Sequence, residues 1–187
     1  MIAGRLRGRR LTAPRGGTST RPTSDRVREA TFSMLGELEG TVALDLFAGT
    51  GALGIEALSR GAERVVFVER DAAALQALGA NLAQLGLAAP EAQVRAGDAL
   101  AALRAARRGG ETYDLVFVDP PYRHARELGG GLSALLPALL APGGRVVVES
   151  DRRAPIELPF EVVRERRYGD TVITIHRHLT EGDDEHR

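Results

Sequence analysis

The stretch that decides the fold is TVALDLFAGTGALG at residues 41–54. Its first half, TVALDLF, is a short apolar run typical of a buried strand, and AGTGALG then turns into a helix around residues 55–60. Gly49, Gly51 and Gly54 match the pattern G-x-G-x-x-G, and Glu69 follows at the end of the next apolar run. Because glycines let a ligand approach the backbone and a carboxylate binds ribose hydroxyls, this pattern predicts a nucleoside-cofactor site.

The same strand, turn and helix pattern continues outward along the chain. Apolar runs alternate with helical segments, and then two strand-like runs follow each other with only Gly169-Asp170 between them. The pattern predicts an α/β fold with a mostly parallel sheet that ends in an antiparallel hairpin, as in Rossmann-like class I methyltransferases. The predicted elements are RVVFVE, a helix over 71–86, EAQVRAGD, a helix over 99–108, YDLVFVD, a helix around 126–140, the turn at 142–144, RVVVES, FEVVRERRY and TVITIHRH.

The composition excludes several kinds of site. The chain of 187 residues contains no cysteine, and all 25 of its Lys+Arg residues are arginine. Disulfides, thiolate metal sites and cysteine nucleophiles are therefore impossible, as are a P-loop and Schiff-base chemistry. No apolar run is long enough for a membrane span, and no signal peptide is visible. We expect a cytoplasmic monomer without a metal ion, built as one domain with a small extension.

The charge is placed unevenly along the chain. Residues 1–28 carry eight arginines and one acid, Asp25, so this segment has a charge of +7 and the rest has −7. A basic segment on an acidic body suggests a polyanionic partner, although a solvated arm is equally compatible. Residues 2–13 fit either a weak strand pair or a flexible arm. The candidate RNA contacts in this arm are Arg5, Arg7, Arg9 and Arg10.

An amphipathic helix is predicted over residues 23–38. Val27, Ala30, Met34, Leu35 and Leu38 fall on one face, and the opposite side carries Arg26, Arg28, Glu29, Ser33 and Glu37. Thr23 or Ser24 could cap its start, and Gly40 follows its end. The segment TEGDDEHR at 180–187 is acidic, and we expect it to be disordered.

Two aspartates distinguish S-adenosylmethionine from a dinucleotide. Asp45 ends the first strand, where a carboxylate would repel a pyrophosphate but attract a sulfonium and an amino group. Asp98 ends the third strand and could accept a hydrogen bond from the adenine amino group, although a Gly-Asp pair is also an ordinary helix cap. We therefore favour S-adenosylmethionine, with an NAD(P) oxidoreductase as the competing interpretation.

The tetrad Asp119-Pro120-Pro121-Tyr122 closes the fourth strand, at the edge that also holds the cofactor turn. An exocyclic amine is a poor nucleophile because its lone pair is delocalised into the base. The Asp119 carboxylate and the Pro120 carbonyl can accept its hydrogens and turn the lone pair toward the methyl group, and Tyr122 can stack on a flipped base. We interpret His124 as a surface or RNA-contacting residue, since this chemistry needs no strong base.

The chain resembles the bacterial 16S ribosomal RNA guanine-N2 methyltransferases, which modify a hairpin-loop guanine of the small subunit. The resemblance covers residues 2–179 and rests on RGRRL, RPTSDRVREATF, DLFAGTGALGIEALSRGA, VDPPY and YGDT. It implies ribosomal RNA in the assembled small subunit as substrate, with Arg21, Arg26 and Arg28 facing the substrate pocket or the RNA. The cofactor-binding residues that we assign with it are Asp45, Phe47, Ala48, Gly49, Thr50, Gly51, Glu69, Arg70, Asp98, Ala99 and Asp119.

The resemblance divides the chain into three parts: an RNA-contacting arm and helix at 1–40, a methyltransferase domain at 41–179 and an acidic tail at 180–187. Adenine-N6 methylation of DNA or RNA stays open, because DPPY serves adenine equally well, and a non-catalytic RNA-binding factor is a third possibility. Cytosine-C5 methylation is excluded by the lack of cysteine, and ribose methylation with catalytic lysines by the lack of lysine.

Overall fold

The computed structural model describes residues 1–13, 25–121 and 125–179, without the side chains of 125–127. Short 3-10 turns at Gly4–Leu6 and Leu136–Ala138 accompany five helices and seven strands in the described residues. In chain order these are α1 (Asp25–Leu35), β1 (Val42–Leu46), α2 (Ala52–Ser59), β2 (Arg64–Glu69), α3 (Ala72–Leu85), β3 (Ala92–Ala96), α4 (Ala99–Arg108), β4 (Tyr113–Val118), α5 (Ala125–Leu135), β5 (Leu140–Asp151), β6 (Glu161–Tyr168) and β7 (Thr171–Arg177).

The seven strands form one sheet in the order β3-β2-β1-β4-β5-β7-β6. Strands β1 to β5 pair in parallel, and β7 is antiparallel to both of its neighbours, β5 and β6. The expected mostly parallel sheet with a terminal hairpin is thus confirmed. The parallel strands all end at one edge of the sheet, which we call the carboxyl edge, and the loops after β1, β2, β3 and β4 meet there.

Helices cover both faces of the sheet. One buried cluster joins α1, α2 and α3 to one face, and the other joins α4 and α5 to the opposite face. The contact of α2 with β2 is close because position 54 is a glycine: a Cβ there would lie 2.3 Å from Cε1 of Phe67. This close contact fixes the start of α2, and with it the turn that follows β1.

The arm differs from both structures that the sequence suggested. Residues 1–13 form neither a strand pair nor a free arm but lie against α2 and α3. The buried Glu56 carboxylate accepts hydrogen bonds from the backbone N–H groups of Ile2 and Ala3 at 2.9 and 3.0 Å. The N–H of Leu6 donates to Ser59 Oγ at 3.0 Å. Side chains of the arm also pack on the core, namely those of Met1, Leu6 and Leu11.

Helix α1 ends three residues before the predicted end. Gly36 adopts a φ of +73°, the left-handed conformation that closes many helices, so the end signal is Gly36 and not Gly40. Leu38 is still fully buried, which explains why it fitted the apolar face. Thr23 and Ser24, the expected caps, lie outside the described residues.

The placement of Arg28 on the solvent side of α1 was wrong. Arg28 is only 7% exposed, and its guanidinium forms an ion pair with Asp25 at 2.8 Å. Arg26, two positions earlier, is exposed as predicted.

Strand β5 begins earlier than predicted. It runs from Leu140 and includes Pro142-Gly143-Gly144, because Tyr113 pairs with Leu140 before a register shift leads to the pair Leu115 and Arg145. The helix expected to reach residue 140 ends at Leu135, and the 3-10 turn Leu136–Ala138, which contains Pro137, follows it. In the part of the chain that the structure describes, none of the helices has the length and apolar character required to cross a membrane.

Candidate active site at the carboxyl edge

The turn between β1 and α2 has the backbone shape that a close-bound ligand requires. Phe47, Gly49 and Gly51 have φ angles of 62°, 56° and 83°, all in the left-handed region. Strain of this kind in a non-glycine residue such as Phe47 is concentrated at functional sites. A Cβ on Gly51 would lie 2.5 Å from Cδ1 of Leu78, so glycine is required there. Ala48 is buried and Thr50 is half-buried.

The Glu69 carboxylate closes this turn from the end of β2. Its Oε2 accepts a hydrogen bond from Gly49 N at 2.8 Å, and its Oε1 accepts from the N–H groups of Arg70 and Asp71 at 2.7 and 2.8 Å. Glu69 is half-buried, and the Arg70 side chain is exposed. Glu69, which the sequence predicted to act together with the glycine turn, therefore contacts that turn directly through Gly49 N.

Asp45 lies beneath the same turn. Its carboxylate is 1% exposed, and Oδ2 accepts a hydrogen bond from Gly54 N at 2.9 Å. Burial raises the pKa of Asp45 to about 7; the Gly54 N–H opposes this shift, and the negative charge of Glu69 adds to it. A cation placed at the turn would oppose the shift as well, because it would favour the ionised carboxylate.

The third strand contributes a helix cap to this edge. Asp98 Oδ1 accepts a hydrogen bond from Ala101 N at 3.0 Å and so caps α4. Gly97 N donates to the Glu69 carbonyl at 2.8 Å, which holds the loop after β3 beside that after β2. Asp98 is exposed and Ala99 is buried. Asp98 thus performs the capping that the sequence allowed, at the edge where the cofactor turn lies.

The tetrad begins directly after β4. Val118 pairs with Leu46 of β1 on one side and with Val148 of β5 on the other, so Asp119 follows at the level of Phe47. Asp119 is half-buried and Pro120 is buried. Pro121 is half-buried, whereas Tyr122 and His124 lie outside the described residues. The strand register therefore places Asp119, Pro120 and Pro121 at the carboxyl edge, next to the turn that follows β1.

Two polar residues in this region were not predicted from the sequence. Asn81 of α3 is fully buried, and its amide donates to the Thr50 carbonyl at 3.0 Å. Glu149 is a buried carboxylate one position after the pair Val118 and Val148, so it lies on β5 beside Asp119. Asn81 had a signal, since it is a polar residue on the helix face that also carries Ala77, Leu78 and Leu82. For Glu149, the sequence shows only a polar residue at the end of an apolar run.

The candidate RNA contacts are distributed over two regions. Arg7, Arg9 and Arg10 are exposed on the arm, while Arg5 forms an ion pair with Glu91 at the opposite, amino edge of the sheet. Arg26 and Arg28 lie at the start of α1, and Arg21 lies outside the described residues. The buried Nε of Arg28 has no hydrogen-bond partner among the described residues.

The described part of the chain holds no cluster of three or more His, Asp or Glu side chains suited to a metal ion.

A known protein family matches almost the whole chain. The family described as conserved hypothetical protein 95 (Cons_hypoth95) matches residues 1–177. The chain belongs to this family. The match to Cons_hypoth95 begins at residue 1, so the docked arm is part of the family's sequence pattern as well as of this fold. The family resemblance that the sequence motifs indicated is thus confirmed.

Individual relatives agree over nearly the whole length. The Bacillus subtilis (strain 168) protein YlbH is 43% identical over 188 residues, which are 95% of this chain and 97% of YlbH. A Haemophilus influenzae protein named "Ribosomal RNA small subunit methyltransferase D" is 34% identical over 173 residues, 90% of this chain and 88% of its own. Among solved structures, Escherichia coli yhhF has a TM-score of 0.82 at 36% identity and covers 97% of this chain and 98% of its own.

Proposed function

We propose that this protein transfers a methyl group from S-adenosylmethionine to the exocyclic N2 of a guanine in 16S ribosomal RNA. The observation that carries the proposal is the position of Asp119-Pro120-Pro121: it follows β4 directly and lies level with the strained turn that Glu69 and Asp45 hold. The family relative in Haemophilus influenzae, whose printed name is a small-subunit ribosomal RNA methyltransferase, supports the RNA class.

The residues of the turn fit S-adenosylmethionine. Two carboxylates accept hydrogen bonds from the glycine segment that joins β1 to α2, Glu69 from Gly49 N and Asp45 from Gly54 N. The raised pKa of Asp45 marks a buried carboxylate that a positive ligand would stabilise in its ionised form. When bound, S-adenosylmethionine supplies a methyl group activated by the sulfonium charge. A pyrophosphate, by contrast, would have to approach the same acidic residues, which disfavours the NAD(P) alternative.

Asp119 and the Pro120 carbonyl would hold the amine of the base. Both are hydrogen-bond acceptors, and together they can bind the two hydrogens of an NH₂ group and orient its lone pair for in-line attack. When the nitrogen takes the methyl group, sulfur would keep the electrons of the broken carbon–sulfur bond, and the surplus proton on nitrogen would pass to the Asp119 carboxylate that accepts its hydrogen bond. Proline rings fix φ after Asp119 and so limit the freedom of these acceptors. Tyr122 would supply the stacking surface.

The basic arm and α1 would form the RNA-binding surface. The arm and α1, residues 1–40, would contact RNA through Arg7, Arg9, Arg10, Arg21 and Arg26, with the buried Arg28 facing the substrate pocket. Arg5 is held by Glu91 and would contribute less. The substrate would be the assembled small subunit, the protein would act as a monomer, and the segment 180–187 would be a solvated acidic tail.

Adenine-N6 methylation is the second candidate, because the acceptors after β4 suit an adenine amine equally well. Mass mapping of ribosomal RNA from a strain without the gene, with and without a restored copy, separates the two. The proposal requires that one guanine of 16S RNA lose 14 Da in the deletion strain and regain it with the copy. Loss of the same mass from an adenine, or no change in 16S RNA, would refute the guanine assignment.

A further inference from the structure

The arm and the cofactor turn meet at one buried side chain, Asn81. Its Oδ1 accepts a hydrogen bond from the N–H of Thr12 in the arm at 2.7 Å. Its Nδ2 donates to the Thr12 carbonyl at 3.2 Å and to the Thr50 carbonyl at 3.0 Å. The amide thus uses both of its hydrogens, one on the arm and one on the turn between Gly49 and Gly51.

Asn81 gives the arm a direct contact with the turn, in addition to the contacts that dock the arm on α2, which follows the turn. Asn81 is completely buried, and breaking one of its bonds would leave a polar group unsatisfied in the interior. Thr50 stands between two glycines in left-handed conformations, so its carbonyl direction decides the shape of the turn. The position of Thr12 and the shape of the cofactor turn are therefore linked through one rigid amide.

The charges of the arm are adjacent to this link. Arg9 and Arg10 are exposed three and two positions before Thr12. Under the proposed function, phosphates bound by these arginines would hold the arm in its docked position. A docked arm keeps Thr12 on Asn81, and Asn81 keeps the turn in the shape that S-adenosylmethionine requires.

We propose that Asn81 is a positioning residue that couples the arm to the cofactor turn, so that RNA and cofactor strengthen each other's binding. The inference rests on the proposed function for its RNA half, and on the structure alone for the link between Asn81 and the turn. Because binding linkage is reciprocal, the factor by which RNA tightens cofactor binding equals the factor by which cofactor tightens RNA binding.

The test measures binding of sinefungin, an unreactive and positively charged cofactor analogue, to the full-length chain by calorimetry. The affinity is compared without and with saturating small subunits that lack the modification. For the natural sequence we expect small subunits to tighten sinefungin binding by about fivefold or more, the lower end of typical coupling. Asn81→Leu should reduce this ratio to about one. A matched control is Gln84→Leu, the same change of an amide to leucine on an exposed position of α3, which should keep the full ratio.

A second variant protects the test against a folding defect. Thr12→Pro removes the N–H that donates to Asn81 on an exposed part of the arm but leaves the bond between Asn81 and Thr50. It should lower the ratio while sinefungin binding without RNA stays near normal. A natural sequence with a ratio of one, or an unchanged ratio in both Asn81→Leu and Thr12→Pro, would overturn the coupling.

Failure of the RNA assignment gives a different result. If small subunits do not bind at all, the proposed substrate is wrong, and hydrogen exchange without RNA then tests the positioning role. Asn81→Leu should speed exchange of the Gly49 and Gly51 amides and weaken sinefungin, whereas Gln84→Leu should do neither. Unchanged exchange and affinity in a folded Asn81→Leu protein would overturn the positioning role itself.

Discussion

The Glu69 carboxylate accepts a hydrogen bond from Gly49 N at 2.8 Å across the turn that joins β1 to α2. Its other oxygen accepts from the N–H groups of Arg70 and Asp71. The acid is therefore fixed by the backbone of both loops before any ligand arrives. Preorganisation of this kind lowers the cost of binding, because neither the turn nor the carboxylate must be ordered by the cofactor.

Removing this carboxylate should weaken cofactor binding. Glu69→Ala loses the proposed ribose contact as well as the bond to Gly49, and a hydrogen bond to a charged group contributes about 1.5–3 kcal/mol, or roughly ten- to a hundredfold in affinity. Glu69→Gln should lose less, since its amide oxygen still accepts. Calorimetry with S-adenosylmethionine measures both, and Glu63→Ala at the amino edge is the matched control. Equal affinities for Glu69→Ala and the natural sequence would remove Glu69 from the site.

Asp45 should make the protein less stable as pH rises from about 4 to about 7. Its pKa is raised to about 7 in the folded chain and lies near 4 in an unfolded one, so in this window the unfolded state releases the proton first. Asp45→Asn removes this effect and keeps an acceptor for Gly54 N. The melting temperature of Asp45→Asn minus that of the natural protein should therefore increase as pH rises from about 4 to about 7 and stay constant above pH 7. A difference that is constant with pH would show that burial does not raise this pKa.

Asp45→Asn, which should raise stability relative to the natural protein, should weaken cofactor binding. A cation favours ionised Asp45, so S-adenosylmethionine affinity should increase with pH through about 7, with release of a proton on binding. Asp45→Asn should bind more weakly and lose this pH dependence. The calorimetric affinity between pH 6 and 8, in two buffers of different ionisation enthalpy, measures both quantities. A pH-independent affinity in the natural protein would place the positive groups of the ligand elsewhere.

The alternation of strands and helices could be predicted because the central parallel strands β1, β2 and β4 are mainly buried and apolar and the helices have an apolar side. β2 begins and ends at the predicted residues, and the hairpin turn at Gly169-Asp170 is where the local pattern places it. The position of the acids at one edge of the sheet could be predicted because parallel strands share their carboxyl edge. Local sequence signals were sufficient for these features.

The arm and α1 could not be placed from local patterns. Residues 1–13 are held by Glu56, Ser59 and Asn81, which lie more than fifty positions away in sequence, so no periodicity within the arm reveals them. Arg28 is only 7% exposed in the folded chain, although its charge predicted a position on the solvent side of α1. The end of α1 was mispredicted because the sequence offers two glycines as end signals, Gly36 and Gly40. Both have a positive φ in the structure, but the helix already ends before Gly36.

Asp119 should affect turnover far more than cofactor binding. Asp119→Ala removes a proposed acceptor for the target amine and should abolish methyl transfer, because the lone pair is no longer oriented. Asp119→Asn should retain some activity through its amide oxygen, and both variants should bind sinefungin close to normally. Exposed Asp114 on β4 offers the control Asp114→Ala. Near-normal turnover of Asp119→Ala on its RNA would contradict the assignment of the tetrad.

The arm arginines should determine part of the salt dependence of RNA binding. Deleting the arm would also remove the anchors at Ile2, Ala3, Leu6 and Thr12 and lower the melting temperature, so a change of charge alone is the cleaner test. Replacing Arg7, Arg9 and Arg10 by glutamine should flatten the slope of log affinity against log salt by about two units if all three contact phosphates. The melting temperature should stay unchanged, because these side chains are exposed.

The matched control is the replacement of Arg104, Arg107 and Arg108 by glutamine, which makes the same charge change on exposed positions of α4. This control should leave the salt slope nearly unchanged, because α4 ends at the amino edge of the sheet. If both triple variants flatten the slope equally, RNA binding follows net charge and the arm has no special role.

Methylation of guanine N2 in small-subunit RNA is the activity proposed for the carboxyl edge of this sheet. The most direct measurement incubates the purified protein with isotope-labelled S-adenosylmethionine and unmodified small subunits, digests the RNA to nucleosides and identifies the labelled product by mass spectrometry. The structure-based account predicts label in N2-methylguanosine, at about one methyl group per subunit, and none with Asp119→Ala. Label in N6-methyladenosine, or equal labelling by Asp119→Ala, would contradict it.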